Sequence, residues 1–204
     1  MATAGRRWRR GRYLGIAAVL VVVAAAVLLL LARRGRVVCW SEVLFAATKQ
    51  RTVDGTGRLY AADGSQWQVA VWIRVDGPNA FTANSLLLPI SGGGAQPSPE
   101  VMTLARAVNY LDAERGIVAR LAREGATQPG RSTQFAGQPV REVVAAPSRG
   151  WSREAEAAGL TWRFYLDPRT KLVRGLDLLA GGKLAGKIEY HYNQPLPKGF
   201  RPGG

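Results

Sequence analysis

The 204 residues contain only one cysteine, Cys39, and one histidine, His191. A disulfide within the chain is therefore excluded, and so is a metal centre built from clustered His and Cys ligands. His191 lies between Tyr190 and Tyr192 and reads as a cross-strand packing residue. No Gly-x-Ser-x-Gly elbow accompanies it, so serine catalysis has no scaffold. Residues 181–187 (GGKLAGK) fit the first seven positions of a phosphate-binding G-x-x-x-x-G-K loop. Ile188 stands where a serine or threonine should hold magnesium, and a strand pattern follows, so these residues read as a glycine hairpin. Glu154 and Glu156 sit in a charged stretch and read as solvated. The chain is expected not to be an enzyme: no catalytic residue is assigned, no cofactor and no metal.

Charge is missing in two places. No acidic residue occurs in the first 41 positions, and residues 14–32 (LGIAAVLVVVAAAVLLLLA) carry no charge at all. As a helix that run is roughly 28 Å long, close to the roughly 30 Å hydrocarbon core of a bilayer. It lacks the polar stripe of a soluble helix. A transmembrane helix is predicted, entering at Leu14, passing through Val21 and Leu28 and leaving at Ala32. Five arginines precede it and three follow it. The excess places the N-terminus in the cytoplasm and the rest on the extracytoplasmic, periplasmic side of the cell membrane. A cleaved signal peptide would have a shorter apolar region and a small-x-small exit, whereas this run ends at Ala32-Arg33-Arg34. An uncleaved signal anchor fits better, with membrane lipid as its surroundings. Arg36-Val37-Val38 is not the approach that lipoprotein processing at Cys39 needs.

The net charge of +14 suggests a nucleic-acid binder until it is divided. Eight arginines lie within residues 1–36, so the 28 basic and 14 acidic residues of the chain leave 20 against 14 beyond, a charge of +6. No basic block remains, and no nucleic-acid partner is expected. The chain divides into a basic cytoplasmic segment (1–13), the transmembrane helix (14–32), a juxtamembrane linker (33–40), an extracytoplasmic domain (41–200) and a short tail (201–204). The domain is long enough to bury its own core.

Along that domain, Ser41 is expected to cap a helix over residues 42–50. Strands are expected over 52–60, 66–75 and 80–88. The second has the clearest alternation: Trp67, Val69, Val71, Ile73 and Val75 on one face, Gln66, Gln68, Ala70, Trp72 and Arg74 on the other. Residues 89–99 (PISGGGAQPSP) read as a loop. Over 99–124 a short helix followed by a hairpin is favoured. Further strands are expected at 132–135, 140–144, 160–166, 172–179 and 187–192, separated by turns. The fold class is α+β, mostly β: a curved antiparallel sheet with a few short helices.

The helix SEVLFAATKQ leading into RTVDGTGRLY, the strand pair FAGQPVREVV, the hairpin WRFYLDPRTKLVRGLDLL and the closing IEYHYNQPLPKGF together resemble the LolA-like superfamily of envelope proteins. That superfamily includes lipoprotein carriers and RseB-type stress sensors. The resemblance spans roughly residues 41–200. It implies a half-barrel whose concave apolar face holds an acyl chain. On that expectation Trp67, Val69, Val71 and Ile73 line the ligand site, and the ligand is lipid or a lipidated protein. The alternative is a signalling or scaffold protein that meets another envelope protein through a sheet face or edge. A filled core with an exposed apolar patch favours that alternative; an accessible cavity favours the ligand.

Overall fold

The structure is a computed structural model, and it describes residues 22–23, 37–77, 80–92, 96–112, 116–146 and 153–195. Two compact units divide the chain, Met1–Val37 and Val38–Gly204. The expected transmembrane run lies outside the described residues except for Val22 and Val23, which are helical and exposed. Among the described residues no helix is long and apolar enough to cross a membrane.

The second unit is mostly antiparallel sheet. β1 (Val37–Cys39) pairs with β5 (Thr127–Pro129) in a separate two-stranded ladder. The main sheet contains β2 (Thr52–Tyr60), β3 (Gln66–Gly77), β4 (Ala80–Ser91), β6 (Arg131–Phe135), β7 (Gln138–Ala145), β8 (Leu160–Leu166), β9 (Val173–Ala180) and β10 (Lys183–Tyr192). Their order is β4-β3-β2-β10-β9-β8-β7-β6, with every neighbouring pair antiparallel. The sheet is curved and open, the architecture that the LolA-like resemblance implies.

Among the described residues four helices accompany it: α1 (Trp40–Thr48), α2 (Pro99–Ala107), α3 (Ile117–Arg123) and α4 (Arg153–Ala157). The hairpin expected after α2 is instead the helix α3. In the run Ile117–Leu121 the large apolar residues fall at 117, 118 and 121, one helical face, and all three are buried. A strand would have turned Val118 away from the other two. α1 begins one residue before the expected cap. Its N-cap is Cys39, without a side-chain cap bond, because Trp40 is wholly buried against the edge of Phe164, 5.1 Å between ring centres. Burial of an indole outweighs a cap worth about 1 kcal/mol. β4 runs past its expected end through Pro89, a residue that sheets accept on an edge strand.

The period of two divides the sheet into faces. Val53 and Leu59 of β2, Trp67 to Ile73 at alternate positions of β3, Leu160, Trp162 and Phe164 of β8, Leu176 and Leu178 of β9, and Ile188 and Tyr190 of β10 all point into one core. α2 closes that core at its C-terminal end. The last helical carbonyls lack intrahelical partners. Two sheet side chains supply them: Trp162 Nε1 donates to the Ala107 carbonyl at 2.8 Å, and the Tyr190 hydroxyl donates to that of Val108. Tyr110, just beyond, packs edge-on to Tyr190 and Phe164, and its hydroxyl meets that of Tyr192 at 2.8 Å.

Candidate functional site

Trp67, Val69, Val71 and Ile73 do share one face of β3, and the structure brings them together. Their exposures are 2%, 0%, 1% and 0%. They are packed in the core, and neither of the two clefts described below is lined by them. Trp67 spends its indole N–H on Ser65 Oγ, 3.2 Å away, so its one donor is satisfied internally.

The outer face of the sheet has two halves of different chemistry. Over β7 to β10 it is polar and internally paired. Asp177 accepts the Tyr165 hydroxyl at 2.7 Å, and Arg163 lies 3.7 Å from both Asp177 and Glu142, whose other oxygen takes Arg131 at 3.0 Å. Burial, then the hydrogen bond to Asp177, pushes the Tyr165 phenol up to about 12. The β6–β7 hairpin folds over this network, with Phe135 stacked on Tyr165 at 4.6 Å. The charges stand within ion-pair range of one another, although Arg163 Nε and Asp177 Oδ1 are buried without a hydrogen-bond partner, and the network fastens that hairpin.

Beside it is a cleft of about 580 Å³ lined by Phe135, Pro139, Asp167, Arg174, Glu189 and His191 among others. Asp167 and Arg174 in it are engaged with each other, while the Arg169 side chain is exposed. Burial raises the Asp167 carboxyl, but the Thr170 N–H, the Arg174 side chain and the Arg169 N–H together hold it below the ordinary range. His191 lies 3.9 Å from Glu189.

Over β2 to β4 the outer face mixes polar side chains, among them Thr56, Arg58, Gln68 and Arg74, with an apolar strip at Ala70, Trp72, Leu86 and Leu88. Cross-strand register places Leu86 opposite Ala70, Leu88 opposite Gln68 and Asn84 opposite Trp72. Trp72, half-buried, is thus a diagonal neighbour of Leu86. Leu86 and Leu88 are 46% and 48% exposed, and Ile90, in the bulge beside Pro89, is 46% exposed. β4 is the edge of the sheet, twelve residues (AFTANSLLLPIS) without one charge. Edge strands are ordinarily short, charged or covered. Near its start Asp76 accepts Arg74 Nε and Thr82 Oγ1, both at 2.6 Å, and these bonds hold its carboxyl low. Next in the same lateral row come Asp54, opposite Trp72, and His191, opposite Asp54. Burial raises the Asp54 carboxyl despite the attraction of His191, and its Oδ1 has no hydrogen-bond partner.

Reading the sequence alone missed this patch. Leu86-Leu87-Leu88 looks like a core strand, and only the complete lack of charge over residues 80–91 hinted otherwise.

No protein-family model matches the chain, and no curated protein matches it. Among solved structures, a crystal structure of MucB is similar at 19% identity with a TM-score of 0.44, covering 80% of this chain and 62% of that one. The complex of Pseudomonas aeruginosa MucA and MucB is similar at 16% identity and a TM-score of 0.37, covering 80% and 61%. LprF from Mycobacterium bovis is similar at 12% identity and a TM-score of 0.41, covering 80% and 97%. This chain thus spans about three fifths of the MucB chains it matches. At such identities and scores, nothing those proteins bind or assemble with is carried over to it.

Proposed function

We propose that this is a membrane-anchored envelope protein whose extracytoplasmic sheet binds a partner protein along β4 and the outer face beside it. One observation carries the reading: Leu86, Leu88 and Ile90 stand about half exposed on an uncharged twelve-residue edge strand. The core face that would have received an acyl chain is filled. An edge strand offers unpaired backbone donors and acceptors, and flanking leucines add apolar area; together they suit a partner that adds a strand.

A photo-reactive residue at position 86 of the full chain, in its native membrane, tests this. A discrete cross-linked species at 86, absent from the exposed control position Val144 and lost with Leu88→Glu, is the expected result. No cross-link at 86, or equal yields at 86 and 144, would overturn it.

A second reading, an apolar ligand such as a lipid acyl chain or lipidated protein, is favoured by the inner side of β4. Phe81, Ala83 and Leu87 are only partly buried against the core. On this reading the ligand lies against those residues, with Trp67, Val69, Val71 and Ile73 as the wall behind. Native mass spectrometry of the full chain separates the two: a lipid-sized added mass lost in Leu87→Asp but kept in Leu88→Glu belongs to the ligand.

A further inference from the structure

The face formed by α1 and α3 is not used by either reading. Phe45 is 61% exposed, the most exposed aromatic ring among the described residues. It borders an apolar groove of about 230 Å³ lined by Ser41, Leu44, Phe45, Thr48, Ala122 and Arg123. Lys49 holds its ammonium 4.2 Å above the Phe45 ring, and Arg123 stands exposed across the groove. Glu42 is the exposed acid on α1, and on α3 Arg120 is already paired with Glu124 at 2.8 Å.

We infer that this face seats on the surface of an anionic bilayer, with Phe45 at the boundary of headgroups and acyl chains and with Lys49 and Arg123 among the phosphates. The inference rests on reading residues 14–32 as a membrane anchor.

Two arguments select lipid over a protein partner. The first is tether length. Ala32, the last apolar residue of the run, is five residues before Val37, so at about 3.6 Å per residue those two positions are separated by roughly 18 Å at most. α1 follows three residues later, so the tether is short enough to bring it within reach of the headgroup layer. The second is charge. The tether contributes Arg33, Arg34 and Arg36, and the groove adds Lys49 and Arg123, all basic residues that an anionic surface attracts. An aromatic ring with a lysine ammonium above it is a pairing suited to an interface that is apolar on one side and wet on the other.

The test uses the full chain with Cys39→Ser, reconstituted into phosphatidylcholine vesicles with and without phosphatidylglycerol. A nitroxide is attached through Phe45→Cys or, as a control, Lys183→Cys. Lys183 begins β10 and lies nine residues, about 30 Å of strand, from Tyr192, which pairs with Val53 where α1 hands the chain to the sheet. Both sites are exposed, so neither substitution opens the core.

In phosphatidylglycerol vesicles the label at 45 is expected to collide with oxygen several-fold more, relative to a water-soluble nickel complex, than the label at 183. Pure phosphatidylcholine should reduce that ratio. Equal, water-like ratios at both positions would overturn the proposal. An alkaline carbonate wash separates it from the anchor reading. A chain that resists the wash with position 45 in water keeps the anchor and loses the seat. A chain stripped by the wash after showing lipid contact at 45 keeps the seat and loses the anchor.

Discussion

Gly57 and Gly175 are both positions where a side chain has no room, but the obstacles differ in kind. A Cβ at Gly57 would sit 2.0 Å from the Lys187 carbonyl oxygen, which is strand backbone. At Gly175 it would sit 2.2 Å from Cζ of Phe135, a side chain. Gly57→Ala must therefore displace β10, at a cost of about 3 kcal/mol or more. Gly175→Ala should cost less, and Phe135→Leu in the same chain should recover part of the loss. Thermal unfolding of the two single variants and their Phe135→Leu doubles gives the answer; equal rescue of both would contradict the distinction. Asp54 makes the opposite kind of prediction. Its carboxyl is raised above the ordinary 3.8 by burial, so folding disfavours its charged form. The unfolded chain then holds fewer protons as pH rises past 3.8, and stability falls through that interval up to the folded value. Asp54→Asn removes the charge, so it should raise the unfolding midpoint at pH 7 and give no gain below about pH 3.8, a comparison made by melting both chains across the range.

Among the elements, α2 depends on the sheet at both ends. At its start Ser98 accepts the Val101 N–H, and Glu100 accepts the Ala62 N–H from the β2–β3 turn. At its end stand the Trp162 and Tyr190 donors. Tyr190→Phe leaves the buried Val108 carbonyl unmatched, a loss of about 1–3 kcal/mol. Hydrogen exchange should then quicken in residues 101–111 while β6 and β7 keep their protection; uniform quickening would mean a global rather than a local effect. This fastening was not legible in the sequence, because its donors and acceptors are 55 and 82 residues apart. What was legible followed a local rule. The alternation from Gln66 to Val75 gave both faces of β3, and the strand limits at 52–60 and 160–166 coincide with β2 and β8. Ile117 to Leu121 satisfied two patterns at once, and only packing decided between them.

For the whole molecule, most of the sheet could be anticipated, while the candidate surface could not. The reason is topological. Whether Leu86-Leu87-Leu88 lies in the middle of a sheet or at its margin depends on which strand comes next to it, and no residue of β4 encodes that. The ligand-site expectation met a related limit: alternation marks the inward residues of a strand but not what they face. Trp67, Val69, Val71 and Ile73 were placed correctly on their face, where they are buried in the core.

The two margins of the sheet are unequal. β4 is long, uncharged and, among the described residues, unpaired on its outer side; β6 is five residues long, ties its Arg131 to Glu142, and has its hairpin pinned down by Phe135 over Gly175. A sheet open at both ends can be extended by strand after strand, and identical copies of such a sheet grow into fibres. The short, charge-bearing β6 offers little length to a further strand, whereas β4 offers twelve residues, so extension of the sheet is biased to one margin.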